Sequence, residues 1–482
     1  VLVRRRVLRA GTDPLSSLIT PGNPLLGILL PYSPLHHLLM SAAEQPLIAT
    51  SGNISDEPIC IDDAEALARL GGIADMMLVH DRPIVRHADD SIVRIIGGRE
   101  AVLRRGRGMA PLPVRLGMEP QRTYLAVGAH LKNTIALNVG PSVFISQHIG
   151  DLETEQAFGA FKTTVTQLQS LYDAEPAAVI ADMHPEYLST KYAQHLKLPV
   201  TYMQHHASHI FSCMAEHRLQ DDCFGVSWDG TGYGEDGTIW GGEFFVWKNG
   251  TMKRFGTFRS FPLPGGASAI KEPRRTALGL LFELYGKECL SVQEIPSLKE
   301  FTPQESETLC RMMEQGLNAP RTSSAGRLFD AVSSLIGLQH RIAYEGQAAL
   351  ALESLADSSS ASDVYPFSIG TGANGLHVVD WQEMIAAVIA DVHEAIPQHD
   401  IARKFHNTMS AVILSMAQKA AMISVVMSGG CFQNALLTEH SISRLKDSGF
   451  TPYWHQRVPP NDGGIALGQL YGAVLQERTI NH

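Results

Sequence analysis

Two histidines four residues apart, His205 and His209, stand in Gln204-His205-His206-Ala207-Ser208-His209 at the head of an apolar stretch. On a helix that spacing turns both imidazoles to one face, where they can share a metal ion. His206 then points elsewhere. No Glu follows His205 as in a zinc-protease helix, so a metalloprotease is not indicated. Two His ligands need further partners, and carboxylates are the usual ones. Asp229 and Asp462 qualify, because each is expected to follow an apolar strand and lies in a glycine-rich stretch. The plain alternative is a pair of helix histidines that only cap or pack.

Three glycine-rich stretches and one lysine add a second kind of chemistry. Asp229-Gly230-Thr231-Gly232-Tyr233-Gly234 is expected as a glycine-rich turn after a strand at 224–228. Glycines let backbone amides approach an anion, and the Asp can hold a metal or orient water. Ser428-Gly429-Gly430-Cys431-Phe432-Gln433-Asn434 reads as strand, glycine pair and helix, a common place for a nucleotide. Cys431 has no local base, so the loop reads as a binding turn rather than a thiol nucleophile. Asn461-Asp462-Gly463-Gly464 again feeds a helix. Lys132, between two strands, has the charge to meet a phosphate or carbamate oxygen; a solvated turn lysine is the bland alternative. Ser51 and Asn53, after a strand at 47–50, have the hydroxyl and amide of an anion or nucleotide pocket. Arg82, Arg86, Arg94, Arg104 and Arg105 are further phosphate partners or plain surface residues.

Positioning these groups takes an α/β chain. Strands are expected at 27–30, 47–50, 76–79 and 91–95, with a helix over 62–70 started by Asp62 or Asp63. Further strands are expected at 125–127, 134–138, 142–145, 178–181, 200–202, 223–227, 242–247, 251–258 and 423–427. A long helix is expected over 151–172. Residues 272–420 read as mostly helical, with loops at 316–325 and 356–378. Pro111, Pro113 and Pro120 mark a linker. This order fits a two-lobed α/β protein with a cleft between the lobes.

Composition narrows the class. The 482 residues carry a formal net charge of -10, with 44% apolar and 18% charged residues. That is enough apolar material for large cores and too little charge for a disordered chain. A division near residue 116 is expected: 1–115 hold 13 Arg, no Lys and 12 acidic residues, so the acidic excess lies in 116–482. The acidic balance argues against a general nucleic-acid binder. No apolar run is long enough for a membrane span. Six scattered cysteines make neither a zinc knuckle nor a disulfide scaffold, and a reducing cytoplasm is the expected location. Val1 in a strand-like start suggests that the natural chain begins further upstream.

The combination resembles the HypF family, the carbamoyltransferases of NiFe hydrogenase maturation. The stretches that carry the resemblance are Leu30-Pro31-Tyr32-Ser33-Pro34-Leu35-His36-His37, Thr50-Ser51-Gly52-Asn53, Arg86-His87-Ala88-Asp89-Asp90-Ser91 and Leu103-Arg104-Arg105-Gly106-Arg107-Gly108. They continue through Leu131-Lys132-Asn133-Thr134, the His205–His209 segment, Trp228-Asp229-Gly230-Thr231-Gly232-Tyr233-Gly234 and the 428–434 loop. The resemblance implies a partial YrdC-like α/β domain over 1–115, which in the family forms carbamoyl-adenylate from ATP and carbamoyl phosphate. It implies a two-lobed Kae1-like domain of the ASKHA (actin/hsp70-like) class over 116–482, with a helical insertion around 272–420. That domain would pass the carbamoyl group to the C-terminal cysteine of the partner HypE.

By the same resemblance, His205, His209, Asp229 and Asp462 form the metal set, with iron or zinc expected, and Mg2+ accompanies the nucleotide. Asp229 and Lys132 are the expected catalytic residues. Ser51, Asn53, Lys132, Gly230, Thr231, Gly232, Gly234, Ser428, Gly429, Gly430, Gln433 and Asn434 are the expected binders of ATP or carbamoyl-adenylate. The family's acylphosphatase and zinc-finger regions, and the front of its YrdC-like domain, have no counterpart in these residues. Transfer from supplied carbamoyl-adenylate is therefore the step expected to survive. A small-molecule O-carbamoyltransferase and a tRNA threonylcarbamoyltransferase share domain types with this chain. A non-catalytic nucleotide-binding scaffold for HypE is a reading of a different class.

Overall fold

The computed structural model describes residues 1–5, 16–55, 57–292, 294–372 and 374–480. The first part holds a short antiparallel pair, β1 (Leu2–Arg4) with β2 (Leu25–Gly27), and two helices, α1 (Pro34–Ala43) and α2 (Asp63–Leu70). A hairpin of β3 (Ile92–Ile96) and β4 (Arg99–Arg104) closes it. The strands expected at 47–50 and 76–79 do not form. Their apolar residues find no sheet to pair with, and strand propensity without a partner does not make a strand. Both helices start on local signals. Ser33 Oγ accepts the His36 N–H, and an Asp62 carboxylate oxygen accepts the Glu65 N–H. Neither helix buries a residue.

The remainder is layered. A six-stranded sheet runs in the order β10-β9-β6-β7-β8-β5. Its strands are β5 (Pro113–Arg115), β6 (Tyr124–Ala126), β7 (Ala136–Val139), β8 (Ser142–Ile145), β9 (Ala178–Asp182) and β10 (Val200–Met203). The segment expected as a linker thus contributes β5, an edge strand paired with β8. Proline at the first position of an edge strand costs no ladder bond. The accompanying helices are α3 (Glu155–Tyr172), α4 (Leu188–His195) and α5 (His205–His217).

A nine-stranded sheet follows. It contains β11 (Cys223–Tyr233), β12 (Ile239–Lys248), β13 (Thr251–Phe258), β14 (Phe261–Pro262), β15 (Arg321–Thr322), β16 (Ser368–Thr371), β17 (His377–Asp380), β18 (Ser424–Ser428) and β19 (Thr451–Trp454). Its helices are α6 (Ala267–Lys271), α7 (Pro273–Tyr285), α8 (Pro296–Lys299), α9 (Pro303–Gln315), α10 (Ala325–Leu335), α11 (Gln347–Ala356), α12 (Gln382–His393), α13 (Gln398–Ala420), α14 (Ala435–Asp447) and α15 (Ile465–Ile480). The stretch expected as mostly helical over 272–420 holds α7–α13, and the loop expected over 316–325 contains the short strand β15. The loop expected over 356–378 is only partly a loop, because β16 and β17 form a hairpin that extends the sheet.

Side-chain alternation builds the layers. In β6, Leu125 faces a core shared with α3 and α4, while Tyr124 and Ala126 face a second core shared with α5 and α15. That second core also takes Cys223, Phe245, Trp247 and Val426 from the other sheet. Helices α5 and α15 are therefore clamped between the two sheets. A third and largest core fills the far side of the nine-stranded sheet under α7 and α10–α14. A helix with sheets on two sides is covered nearly all round, so α5 buries every residue from His205 to Ala215, its polar histidines and serines included.

Candidate metal centre and adjoining cavities

Three elements converge at the N-terminal end of α5. The helix presents His205 and His209, β11 presents Asp229, and the short turn before α15 presents Asp462. One ligand atom from each lies within 4.8 Å of the others, and all four residues are buried. His205 Nε2 is 3.6 Å from Asp229 Oδ2 and 3.7 Å from Asp462 Oδ1. His209 Nε2 is 3.5 Å from Asp229 Oδ2 and 3.7 Å from Asp462 Oδ1. Tetrahedral ligands at ~2.1 Å from an ion sit about 3.4 Å apart, so these spacings suit a divalent cation. Both Nε2 atoms are buried without a hydrogen-bond partner, a costly arrangement unless something accepts their lone pairs. The donor set therefore fits a metal ion, and the structure brings together the histidine pair and both carboxylates singled out in the sequence.

Orientation comes from a residue that the sequence reading missed. His205 Nδ1 lies 2.8 Å from Asp182 Oδ2, at the end of β9, and both side chains are fully buried. A carboxylate behind a metal-binding imidazole sets its tautomer and aims the other nitrogen. Asp182 ends an apolar strand, the same signal that singled out Asp229. Burial opposes a charge on His205, yet Asp462 and Asp182 hold the imidazole well above its usual range. Burial likewise opposes the charge on Asp229, but the imidazoles of His205 and His209 beside it hold its carboxyl well below the carboxylate range. His206 turns away, as expected, toward Gln204 and Trp240.

The glycines are where the segments touch. The stretch expected as a turn after residue 228 instead continues as β11 to Tyr233, with a register shift between Trp228 and Gly232 against β12. A Cβ on Gly232 would stand 2.4 Å from His206 Cε1 and 2.9 Å from His205 Cδ2. A Cβ on Gly430 would stand 2.6 Å from Asp229 Oδ1, where the Gly430 N–H instead donates at 3.1 Å. Gly230 lies against Arg327, Gly234 against Trp240, and Thr231 is half-buried on β11. Ser324, the cap of α10, donates to the carbonyls of Asp229 at 2.6 Å and Gly230 at 2.9 Å.

The other expected binders divide between cavities. Gly430, Gln433 and Asn434 line a cavity of about 240 Å³ with Phe329, Tyr344 and Glu345. Asn434 also caps α14 and holds His406, while Ser428 is fully buried against His455. Ser51 and Asn53 line a separate cavity of about 310 Å³ with Arg104, His148 and Lys132. A third space of about 410 Å³ is lined by Lys132, His148, Gln433, Asn461 and Gly463. Lys132 thus faces both the Ser51 pocket and the cleft beside Asp462. Its ammonium pairs with Glu345, and its backbone N–H donates to an Asp151 carboxylate oxygen at 2.7 Å. Burial opposes that charge, but Glu345 and Asp462 outweigh it and keep Lys132 protonated. Of the arginines considered, Arg94 is taken up in a buried pair with Glu353, and Arg105 in bonds to backbone carbonyls. Burial pushes the Cys431 thiol far up, which agrees with a loop role.

A YrdC-like region followed by a two-lobed Kae1-like domain with a His/Asp metal centre is the class that this fold and site define. The family model "Carbamoyltransferase, Kae1-like Domain, second subdomain" matches residues 225–469. "HypF Kae1-like domain" matches 119–216, and the Sua5/YciO/YrdC model described as "Telomere recombination" matches 2–106. Carbamoyltransferase HypF of Synechocystis sp. is 42% identical over 475 residues, covering 96% of this chain and 61% of that protein. The crystal structure of full-length HypF in its phosphate- and nucleotide-bound form superposes with a TM-score of 0.89 at 39% identity, over 94% of this chain and 71% of that one. The T. kodakarensis HypF structure superposes with a TM-score of 0.90 at 29% identity, over 99% of this chain and 63% of that one. The chain belongs to the HypF carbamoyltransferase family. It spans about three fifths of the length of HypF of Synechocystis sp. and of Rhizobium leguminosarum.

Proposed function

We propose that this chain transfers a carbamoyl group from carbamoyl-adenylate to the thiolate of a C-terminal cysteine on an acceptor protein, HypE in hydrogenase maturation. The observation that carries the reading is the buried His205, His209, Asp229 and Asp462 set in a chain of this family. Iron or zinc suits two imidazoles and two carboxylates, and Mg2+ suits the nucleotide phosphates. Bound there, a divalent ion supplies Lewis-acid polarisation of a carbonyl or phosphoryl oxygen. The remaining work falls to the chain. The 428–434 loop and the cavity beside Tyr344 hold the nucleotide end. Lys132 neutralises developing charge on the leaving AMP phosphate. Asp182 holds His205 in position, and the clamped α5 excludes water from the rear of the site.

Lys132 also faces the cavity of Ser51 and Asn53. That supports a carbamoyl-adenylate pocket on the first region opening toward the metal centre. Domain boundaries near 115/116 and a cytoplasmic location belong to the same reading. Among the described residues, no helix is long and apolar enough to cross a membrane. The test is incubation with carbamoyl-adenylate and a peptide ending in cysteine, then mass measurement of the peptide. A metal-dependent carbamoyl adduct on the thiol is expected. No adduct with metal-loaded protein overturns the reading.

A further inference from the structure

Behind the metal centre, three buried side chains from three segments stand in a line. Ser428 ends β18, His455 follows β19, and Glu216 lies on α5 two turns beyond His209. Ser428 Oγ is 2.8 Å from His455 Nε2, and His455 Nδ1 is 3.1 Å from Glu216 Oε2. The second Glu216 oxygen accepts the N–H of Gln456 at 3.0 Å and of Arg457 at 2.6 Å. The order serine, histidine, carboxylate is that of a hydrolase triad. Here Ser428 is 0% exposed and His455 3%, so no external substrate reaches the hydroxyl.

What the line touches suggests another role. Ser428 precedes Gly429 and Gly430. The Gly430 N–H donates to Asp229 Oδ1, and the Gly429 N–H donates to the carbonyl of Pro460 at 3.0 Å. The segment held by Glu216 runs from His455 into Asp462. Glu216 itself shares α5 with His205 and His209. Each arm therefore ends on a segment that carries, or bonds to, a residue of the metal set.

We propose that Glu216, His455 and Ser428 are positioning residues that lock both carboxylate-bearing segments to the helix bearing the imidazoles, and so set the affinity of the metal centre. The proposal rests on the metal reading given above. Glu216 accepts two backbone N–H bonds at one oxygen, which leaves the other for an N–H from His455. Burial opposes its charge, but His455 and the Arg457 N–H hold its carboxyl below the usual range. His455 Nδ1 then carries the proton and Nε2 accepts from the Ser428 hydroxyl. A Gln at position 216 keeps the shape but not the direction. Its single carbonyl oxygen stays with the two backbone N–H groups, and its NH2 faces Nδ1. The imidazole must then carry its proton on Nε2, and the Ser428 hydroxyl must turn to accept.

The test uses the full chain, stripped of metal, as wild type, Glu216→Gln and Ser428→Ala. Zn2+ binding is measured by calorimetry, thermal unfolding is measured on the same metal-free samples, and nitrogen NMR reads the His455 tautomer. Zn2+ affinity is expected to fall about 10–100-fold in both variants, the range for groups that orient metal ligands. Unfolding of the metal-free Ser428→Ala protein is expected to stay cooperative and to fall only by the few degrees that one orphaned buried acceptor costs. His455 is expected to show Nδ1–H in the wild type and Nε2–H in Glu216→Gln. Wild-type affinity in both variants, or an Nε2–H tautomer in the wild type, overturns the proposal while leaving the metal reading intact. Absence of Zn2+ binding by the wild type removes the metal reading itself, and the proposal with it.

Discussion

Helices α1 and α5 are both well-formed helices, yet different forces make them. Helix α1 has a serine cap, Pro34 in its first turn and a left-handed Glu44 at its end, and it buries nothing. Helix α5 buries 11 of its 13 residues between two sheets. The same contrast separates the regions around them. Before residue 92, Leu25 is the only buried apolar side chain among the described residues, while Leu18, Leu30, Ile48, Ile73, Met76 and Leu78 are exposed. After residue 113, three cores lie on either side of two sheets. Local caps suffice to shape a helix, but burial on several sides is needed to hold four side chains from three segments within 4.8 Å of one another. Ser51 and Asn53 sit on irregular chain, and Asn53 spends its amide on the carbonyls of Ile54 and Glu57. The metal residues sit on a helix, a central strand and a loop pinned between them.

This contrast can be broken at several points. The largest effect is expected from His209→Ala, which removes a ligand from the rigid region. Metal content by mass spectrometry should collapse, and carbamoyl transfer should fall by more than about 100-fold, beyond the range for orienting groups. The buried Arg94–Glu353 pair, at 2.6 Å, ties the β3–β4 hairpin to α11. Arg94→Ala leaves a buried carboxylate unpaired, a cost of about 3–5 kcal/mol. Limited proteolysis should then cut the first region faster while leaving 116–480 protected. Equal cutting of both regions would contradict the separation of their stabilities.

A smaller effect is expected from Asp182→Asn. It keeps the fold and weakens metal binding by roughly 10–100-fold, because His205 loses the carboxylate that aims it. The smallest concerns His406 on α13, which accepts from the Asn434 amide and is pushed by burial down to about 4. Its folded value lies below the unfolded one, so its stabilising share is present above about pH 6.5 and is lost as the pH falls toward 4. At about pH 5 the loss is roughly 2 kcal/mol. His406→Gln should flatten that part of the pH dependence in thermal unfolding.

Much of the site was legible because its chemistry follows short-range rules. The His205/His209 pair needed only helical spacing, and Asp229 and Asp462 needed only their places beside apolar strands and glycines. Asp182 obeys the same rule but carries no glycine beside it, so nothing set it apart. The 230–234 glycines were legible as a feature and misread as a turn. They are small because imidazoles and Trp240 pack against the strand, a tertiary cause invisible in the local sequence. The β16–β17 hairpin was lost among glycines at 370, 372 and 375, since the strand character of β17 comes from pairing with β13. The unformed strands of the first region fail for the opposite reason, because no neighbour completes them.

Helix, strand and loop bring two imidazoles and two carboxylates together at a spacing that suits one ion. X-ray absorption at the metal edge of the loaded protein tests it most directly. The expected spectrum has two imidazole nitrogens and carboxylate oxygens at ~2.0–2.2 Å and no sulfur, and it loses a nitrogen in His209→Ala. A sulfur shell, or a spectrum unchanged by His209→Ala, would contradict it.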